Sequence, residues 1–276
     1  MNDMSLKAKI RNIACDKRVS ASAVLQNYLI RRFLFRLAKS DYKDKFIIKG
    51  GMLISSIIGI EQRSTMDLDA TLRFMKLEES NLCDAFLAIC SIPDEDGIQF
   101  KFNSISPIRE DDEYGGYRIS YSAIMGKINA PMSMDISTGD VITPDAKIHC
   151  FSDMFDPNQT IQLLSYPIET ILAEKLETVL SRGVENTRPR DFYDIYMLSA
   201  TDYNKTDLCL AFKATAKHRG SYDKIKDYYS VLENIRNDAV MNQRWNGYQK
   251  QMPYADGISF GETLDVVQQL LSDINQ

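Results

Sequence analysis

The feature that most constrains this chain is a glycine pair set between two apolar segments and followed closely by an alternating strand. Phe46-Ile47-Ile48 runs into Lys49-Gly50-Gly51, and Met52 begins a further apolar run through Ile58. The first segment is short enough for a buried strand, and the second has the length and composition of a buried helix. Glycines at a strand-to-helix junction let backbone N–H groups approach a ligand, and a helix N-terminus favours bound phosphate. Over residues 66–73, Met66, Leu68, Ala70 and Leu72 fall on one side, and Asp67, Asp69, Thr71 and Arg73 on the other. That period of two predicts a half-buried strand presenting two carboxylates on its wet face.

The same reading gives further elements. Residues 20–39 have helical spacing in Val24, Leu25, Tyr28, Leu29, Phe33 and Leu37, with Ser20 or Ser22 as cap and Arg31, Arg32, Arg36 and Lys39 on other faces. Residues 76–90 suggest a helix. Alternation at Ile98, Phe100 and Phe102, and at Tyr117, Ile119 and Tyr121, predicts two strands, with the acidic run 110–113 and Gly115-Gly116 as their hairpin connection. Another strand, 132–137, turns Met132, Met134 and Ile136 inward and Ser133, Asp135 and Ser137 outward. Beyond Pro157 the pattern becomes helical: Pro167 and Pro189 suit first helical turns, and further helices are expected over 205–217, 221–240 and 262–274. The expected fold class is α+β, a mixed sheet flanked by helices over residues 1–160 and a helical domain over 161–276.

Length and composition agree with this. A chain of 276 residues is long for one compact unit, and 44% hydrophobic residues suffice for ordinary cores. No apolar run is long enough to cross a bilayer and no signal-peptide core is evident, so no membrane partner and a cytoplasmic location are expected. The five cysteines are scattered and unpaired in pattern, which predicts reduced, mostly buried thiols; with only His149 and His218 present, any metal should be held by oxygen. The net charge of −5 argues against a dedicated duplex-DNA binder. It is uneven, however: residues 1–49 carry twelve Lys/Arg against four Asp/Glu, a basic segment able to attract a polyanion or simply to coat a helix.

Asp67 and Asp69 project from one strand face, roughly 7 Å apart along the backbone. Asp135 lies on the polar face of another strand. Were those strands neighbours, the three carboxylates could hold Mg²⁺ or Mn²⁺, hard cations that take oxygen ligands and bridge substrate phosphates. Two such ions held roughly 3.5–4 Å apart can clamp an in-line phosphoryl displacement. The alternative is an acidic but inert wet face. Arg63, Ser64 and Thr65 add donors just before the pair. Lys175 falls within the apolar stripe of the 167–182 helix, where a lysine either snorkels to water or meets anionic charge in a cleft. Asp191 and Asp194 share a face at the start of the helix opened by Pro189, where acids also offset the helix dipole.

Taken together, Lys49-Gly50-Gly51, Arg63-Ser64-Thr65-Met66-Asp67-Leu68-Asp69, Met134-Asp135-Ile136, Glu174-Lys175-Leu176 and Arg190-Asp191-Phe192-Tyr193-Asp194 resemble the AbiEii-type nucleotidyltransferase toxins of bacterial abortive-infection and type IV toxin–antitoxin systems. The resemblance spans roughly residues 5–200. It implies a DNA polymerase β-like core followed by a helical domain at the same cleft. It assigns Asp67, Asp69 and Asp135 to metal and catalysis, Lys175 and Asp191 also to catalysis, and Lys175 with Asp194 to the nucleotide. Lys49, Gly50, Gly51, Arg63, Thr65 and Arg190 join the nucleotide-binding set. It further implies an NTP substrate, an acceptor hydroxyl on RNA or tRNA, and a cognate antitoxin. Nucleotidyl transfer to a protein or small molecule, and nucleotide or partner binding without turnover, are the rival expectations. Where the wider superfamily commonly has Gly-Ser, this chain has Gly50-Gly51, which removes a hydroxyl and leaves phosphate contact to backbone donors.

Overall fold

The computed structural model describes residues 2–108 and 115–274, and they divide into two compact units. The first comprises residues 1–140 and 147–165; the second comprises 141–146 and 166–276. The acidic run 110–113 lies outside the described residues.

The first unit opens with α1 (Asp3–Asp16), whose N-cap Asn2 accepts a hydrogen bond from the Ser5 N–H, and α2 (Ala21–Lys39), capped by Ser20. Then come β1 (Phe46–Lys49), α3 (Gly50–Ile58), β2 (Leu68–Leu72), α4 (Glu79–Ser91), β3 (Gln99–Ile108), β4 (Gly116–Met125) and β5 (Ile128–Ser137). β6 (Lys147–Ser152) and β7 (Thr160–Ser165) complete one mixed sheet of order β3-β4-β5-β2-β1-β7-β6. β2 runs antiparallel to β1 and parallel to β5, so the two acidic strands lie side by side at the centre. The core beneath them holds Phe33 of α2, Phe86 of α4, Phe100 of β3 and Tyr121 of β4, with ring centroids 5.0–6.0 Å apart. Aromatic pairs in that range add roughly 0.5–1.5 kcal/mol each beyond area burial.

Several expectations are corrected here. Met66 is not an inward strand residue: β2 begins at Leu68, and Met66 is 47% exposed in the turn before it. Arg32 and Arg36 are not surface decoration. Both are buried, Arg32 bonded to Asp94, Asp96 and Asp153, and Arg36 to Asp96 with two parallel hydrogen bonds of 2.8 Å. Part of the basic N-terminal segment is therefore neutralised internally by the acidic 94–96 loop, and these cations are not offered to a polyanion. The cysteines are free, but none is buried: Cys15 and Cys150 are exposed and the others intermediate, because they occupy outer positions of their helices and of edge strand β6.

The second unit is built on α5 (Ile168–Arg182), α6 (Pro189–Ser199), α7 (Lys205–His218), α8 (Tyr228–Asn237), α9 (Ala239–Gln251) and α10 (Phe260–Ile274). Pro189 begins α6 at its first turn, whereas Pro167 is the residue before α5 rather than within it. The single helix expected over 221–240 is instead α8 preceded by turns. Asp238 ends it and caps α9 by accepting from the Met241 N–H at 2.7 Å. Trp245 of α9, Phe192 of α6 and Phe260 of α10 meet in this unit's core.

Candidate active site

A single cross-strand row carries the charged groups of the first unit. Arg118 of β4 pairs with Asp135 of β5, Asp135 with Asp69 of β2, and Asp69 with Lys49 of β1. Residues directly opposite on adjacent strands share a face, so cation, anion, anion and cation lie side by side across four strands. Alternation gives the opposite face to Ile119, Met134 and Leu68, each at most 1% exposed, and this burial fixes the register that places the acids outward. The neighbourhood of β2 and β5, on which the sequence argument for three carboxylates depended, is present.

Each acid has its own surroundings. Asp67 lies one residue before β2 and accepts a hydrogen bond from Ser133. Asp69 lies over Gly50, whose φ of +69° is a left-handed conformation that an L side chain strains to adopt; a Cβ there would sit 2.0 Å from Asp69 Oδ2. Asp135 is gripped by Arg118, whose Nε and second terminal nitrogen donate at 2.6 and 2.7 Å to its two oxygens. That two-pronged bond, then the charge of Asp135, and further off Asp67 and Asp69, hold the guanidinium more firmly protonated than an ordinary arginine.

The glycine pair therefore has a definite physical role. Gly50 makes room for Asp69, and Gly51 for Thr65, whose Oγ1 lies 2.6 Å from where a Cβ at position 51 would be. The hydroxyl lost by having glycine at 51 is in this sense replaced by the neighbouring hydroxyl of Thr65. Lys49, the residue before α3, provides no side-chain cap, so the first N–H groups of that helix are left for other partners. Arg63 is buried, donates to the Ser64 carbonyl, and its own N–H bonds the Gly59 carbonyl at 3.0 Å; with Thr65, whose hydroxyl donates to the Asp67 carbonyl at 3.3 Å, it braces the turn carrying the acids.

Lys49 reaches along the same face to Asp140, 2.7 Å away, and to the Ser137 hydroxyl at 2.6 Å; Thr71 Oγ1 donates to the same Asp140 oxygen at 2.7 Å. Burial alone would raise the Asp140 pKa. The Lys49 ammonium and the donors from Lys49, Ser137 and Thr71 outweigh it and hold the carboxyl well below the usual range. Lys49 is thus engaged in a partly buried ion pair beside the acids.

In the second unit, Lys175 does not snorkel to water. Its side chain is 13% exposed, and its Nζ lies 2.8 Å from both Asp191 Oδ1 and Asp194 Oδ2, two carboxylates with no exposure at all. Arg188 completes the group, its Nε 2.8 Å from Asp191 Oδ2. Burial opposes ionisation of Asp191, but Lys175 and then Arg188 prevail and its pKa is lowered. Arg190, selected from the sequence, is exposed; Arg188, two residues earlier, takes the place beside Asp191. The first helical turn explains the difference, since Pro189 starts α6 and turns side chains two apart to different sides.

Arg118, Ser133, Asp140 and Arg188 were not singled out from the sequence. For Arg118 and Ser133 a signal existed: both sit at polar positions of alternating strands. Asp140 follows the end of β5 and carried none.

As a donor set, Asp67, Asp69 and Asp135 are hard oxygens suited to Mg²⁺ or Mn²⁺, and the space over Gly50 is kept free of any Cβ. The set matches such an ion in kind. With Asp135 turned to Arg118, however, no three His, Cys, Asp or Glu side chains among the described residues are gathered closely enough for a metal.

A mixed sheet with an acidic pair on one central strand, a third acid in register on the next, and a glycine-led helix beside them has the organisation of a nucleotidyltransferase. The sequence bears this out: residues 32–266 match the family described as nucleotidyl transferase AbiEii toxin, type IV toxin–antitoxin system. This chain belongs to that family, and the family's enzymes are nucleotidyltransferases. No curated protein matches the sequence. Among solved structures, JHP933 from Helicobacter pylori is similar at 21% identity and a TM-score of 0.49, covering 93% of this chain and 94% of that one. A putative nucleotidyltransferase from H. pylori gives the same identity and TM-score with 98% of its own chain covered. An antigenic nucleotidyltransferase-like protein from Paracoccidioides brasiliensis matches at 15% identity and a TM-score of 0.43, covering 72% of this chain and 91% of that one. Among the described residues no helix is long and apolar enough to cross a membrane.

Proposed function

We propose that this chain is a divalent-metal-dependent nucleotidyltransferase that acts as a bacterial toxin in the cytoplasm, moving NMP from an NTP to an RNA hydroxyl, with a tRNA 3′ end the leading acceptor. The observation that carries this reading is the in-register pairing of Asp69 with Asp135 beside Gly50. In this reading Asp67 and Asp69 would hold Mg²⁺ or Mn²⁺, with Asp135 completing the set, and the ion would supply positive charge at the phosphate being transferred. The chain's own residues do the rest. Gly50 and Gly51 leave the α3 N–H groups open to phosphate oxygens, and Arg63 and Thr65 keep the acidic turn in place. Asp135 takes the proton from the attacking hydroxyl. Within the second unit, Lys175 is committed to Asp191 and Asp194, and exposed Arg190 is a cation there that remains open to an anionic ligand. Such transfer relies on positioning and fixed charge more than on covalent chemistry, which agrees with a site built of carboxylates and cations. The type IV toxin–antitoxin family implies an antitoxin as partner.

Incubation of the purified protein with α-labelled NTPs, Mg²⁺ and a cell extract tests the acceptor. Label should enter the RNA fraction and concentrate in tRNA. Label confined to protein or to small molecules would replace RNA with those acceptors. Nucleotide binding without pyrophosphate release, for every NTP and acceptor pool, would contradict catalysis.

A further inference from the structure

We infer that Arg118 is a latch on the acidic face, a positioning residue that competes with the metal for Asp135. The inference rests on the proposed function and goes beyond it by explaining a conflict in the geometry. Register brings Asp135 directly opposite Asp69, where it should join Asp67 and Asp69 around a cation. Its two oxygens are instead both occupied by the Arg118 guanidinium, at 2.6 and 2.7 Å. The two states compete: the guanidinium takes a lone pair on each oxygen and sets a positive charge against the same carboxylate that a divalent ion would need.

Arg118 is suited to the task. It stands in register with Asp135 on the far side from Asp69, so its pull on the carboxylate is directed away from the other two acids. Its side chain is 47% exposed, so no packing locks it in place and it can leave when Asp135 turns. A planar fork with two donors matches both carboxylate oxygens at once, which a point charge cannot do. At the other end of the row Lys49 is held by Asp140 and Ser137 with 12% of its side chain exposed, a fixed cation opposite a movable one. Arg118 therefore supplies positive charge to Asp135 and the acidic face without metal, and its grip weakens the site's hold on a divalent ion.

The test uses the full-length protein and Mn²⁺ as probe, with free Mn²⁺ followed by electron paramagnetic resonance. Wild type, Arg118→Gln, Asp135→Asn and the double variant are titrated, with Asp67→Ala as reference and thermal melts confirming that each is folded. Arg118→Gln should bind Mn²⁺ about tenfold more tightly, the scale of one charge-assisted hydrogen bond removed from the competing state. In the Asp135→Asn background the same substitution should change little, because the carboxylate it releases is gone. Arg118→Lys, which keeps the charge and loses the fork, should fall between wild type and Arg118→Gln. Unchanged or weaker Mn²⁺ binding by Arg118→Gln, with Asp67-dependent binding intact in the wild type, would overturn the latch and leave the enzyme reading standing. Equal tightening with and without Asp135 would also overturn it, showing a general field rather than competition for one ligand. Absence of Asp67-dependent Mn²⁺ binding in the wild type would overturn both.

Discussion

Gly50→Ala is the most discriminating single perturbation of this site. Two separate costs follow from the geometry. The backbone at position 50 has φ = +69°, where alanine is disfavoured by roughly 1–2 kcal/mol. The new methyl would also stand 2.0 Å from Asp69 Oδ2 and 2.6 Å from its Cγ, so the carboxylate must move by an ångström or more to reach ordinary contact. The stability cost should therefore be at least the backbone term. For a chain of this size that corresponds to a melting temperature lowered by about 2–8 °C. The catalytic cost should be far larger, because a misplacement of that size at a reacting centre is worth about 10²-fold in rate. The assay pairs a thermal melt with initial-rate measurement of pyrophosphate release, carried out well below the lowered transition. A folded Gly50→Ala protein that releases pyrophosphate at the wild-type rate would refute the placement of Asp69 at the centre of the chemistry. Gly51→Ala is the companion: it meets Thr65 rather than an acid, so its effect on rate should be clearly smaller than that of Gly50→Ala.

Other expectations follow from the same coordinates. Lys49→Met leaves Asp140 partly buried and without its ammonium, so chemical denaturation should show a loss of about 3–5 kcal/mol. Because the Asp140 carboxyl is held below its ordinary range, its contribution is complete above that range and is lost as pH falls through the lowered value; the acid limb of stability should be steep in wild type and shallower in Lys49→Met. Asp191 behaves likewise by sign, and Lys175→Met, which leaves two fully buried carboxylates with one fewer cation, should destabilise the protein by a comparable several kcal/mol in a denaturant titration. Arg190→Ala should melt within about 0.5 kcal/mol of wild type, as befits an exposed side chain, so that any rise in the KM for NTP reports contact with nucleotide.

What the sequence made legible was the alternation. The period of two at 66–73 and at 132–137 fixed which faces of β2 and β5 were wet, and the acids fell there because Leu68, Met134 and Ile136 had to be buried. It could not say that β2 and β5 are neighbours, since that pairing joins residues some 66 positions apart in the chain. β6, the edge strand, and β7 beside it were missed because they carry few buried side chains, so their periodicity is faint. α9 was missed for a related reason: Met241, Trp245 and Tyr248 are its only buried residues, in an otherwise polar stretch. Charge was the least legible quantity. Arg32 and Arg36 read as solvated cations, yet partners at 94, 96 and 153 take them into the interior. Lys175 likewise acquires two acid partners that no helical periodicity announces, although its motif singled it out.

The central claim is that Asp69 and its neighbours move a nucleotide rather than a phosphate. It is tested most directly by incubating wild type and Asp69→Ala with total RNA, Mg²⁺ and NTP labelled at either the α or the γ position. The account predicts α-label on RNA with matching pyrophosphate release, no γ-label on RNA, and loss of both signals in Asp69→Ala. Transfer of γ-label, or wild-type labelling by Asp69→Ala, would contradict it.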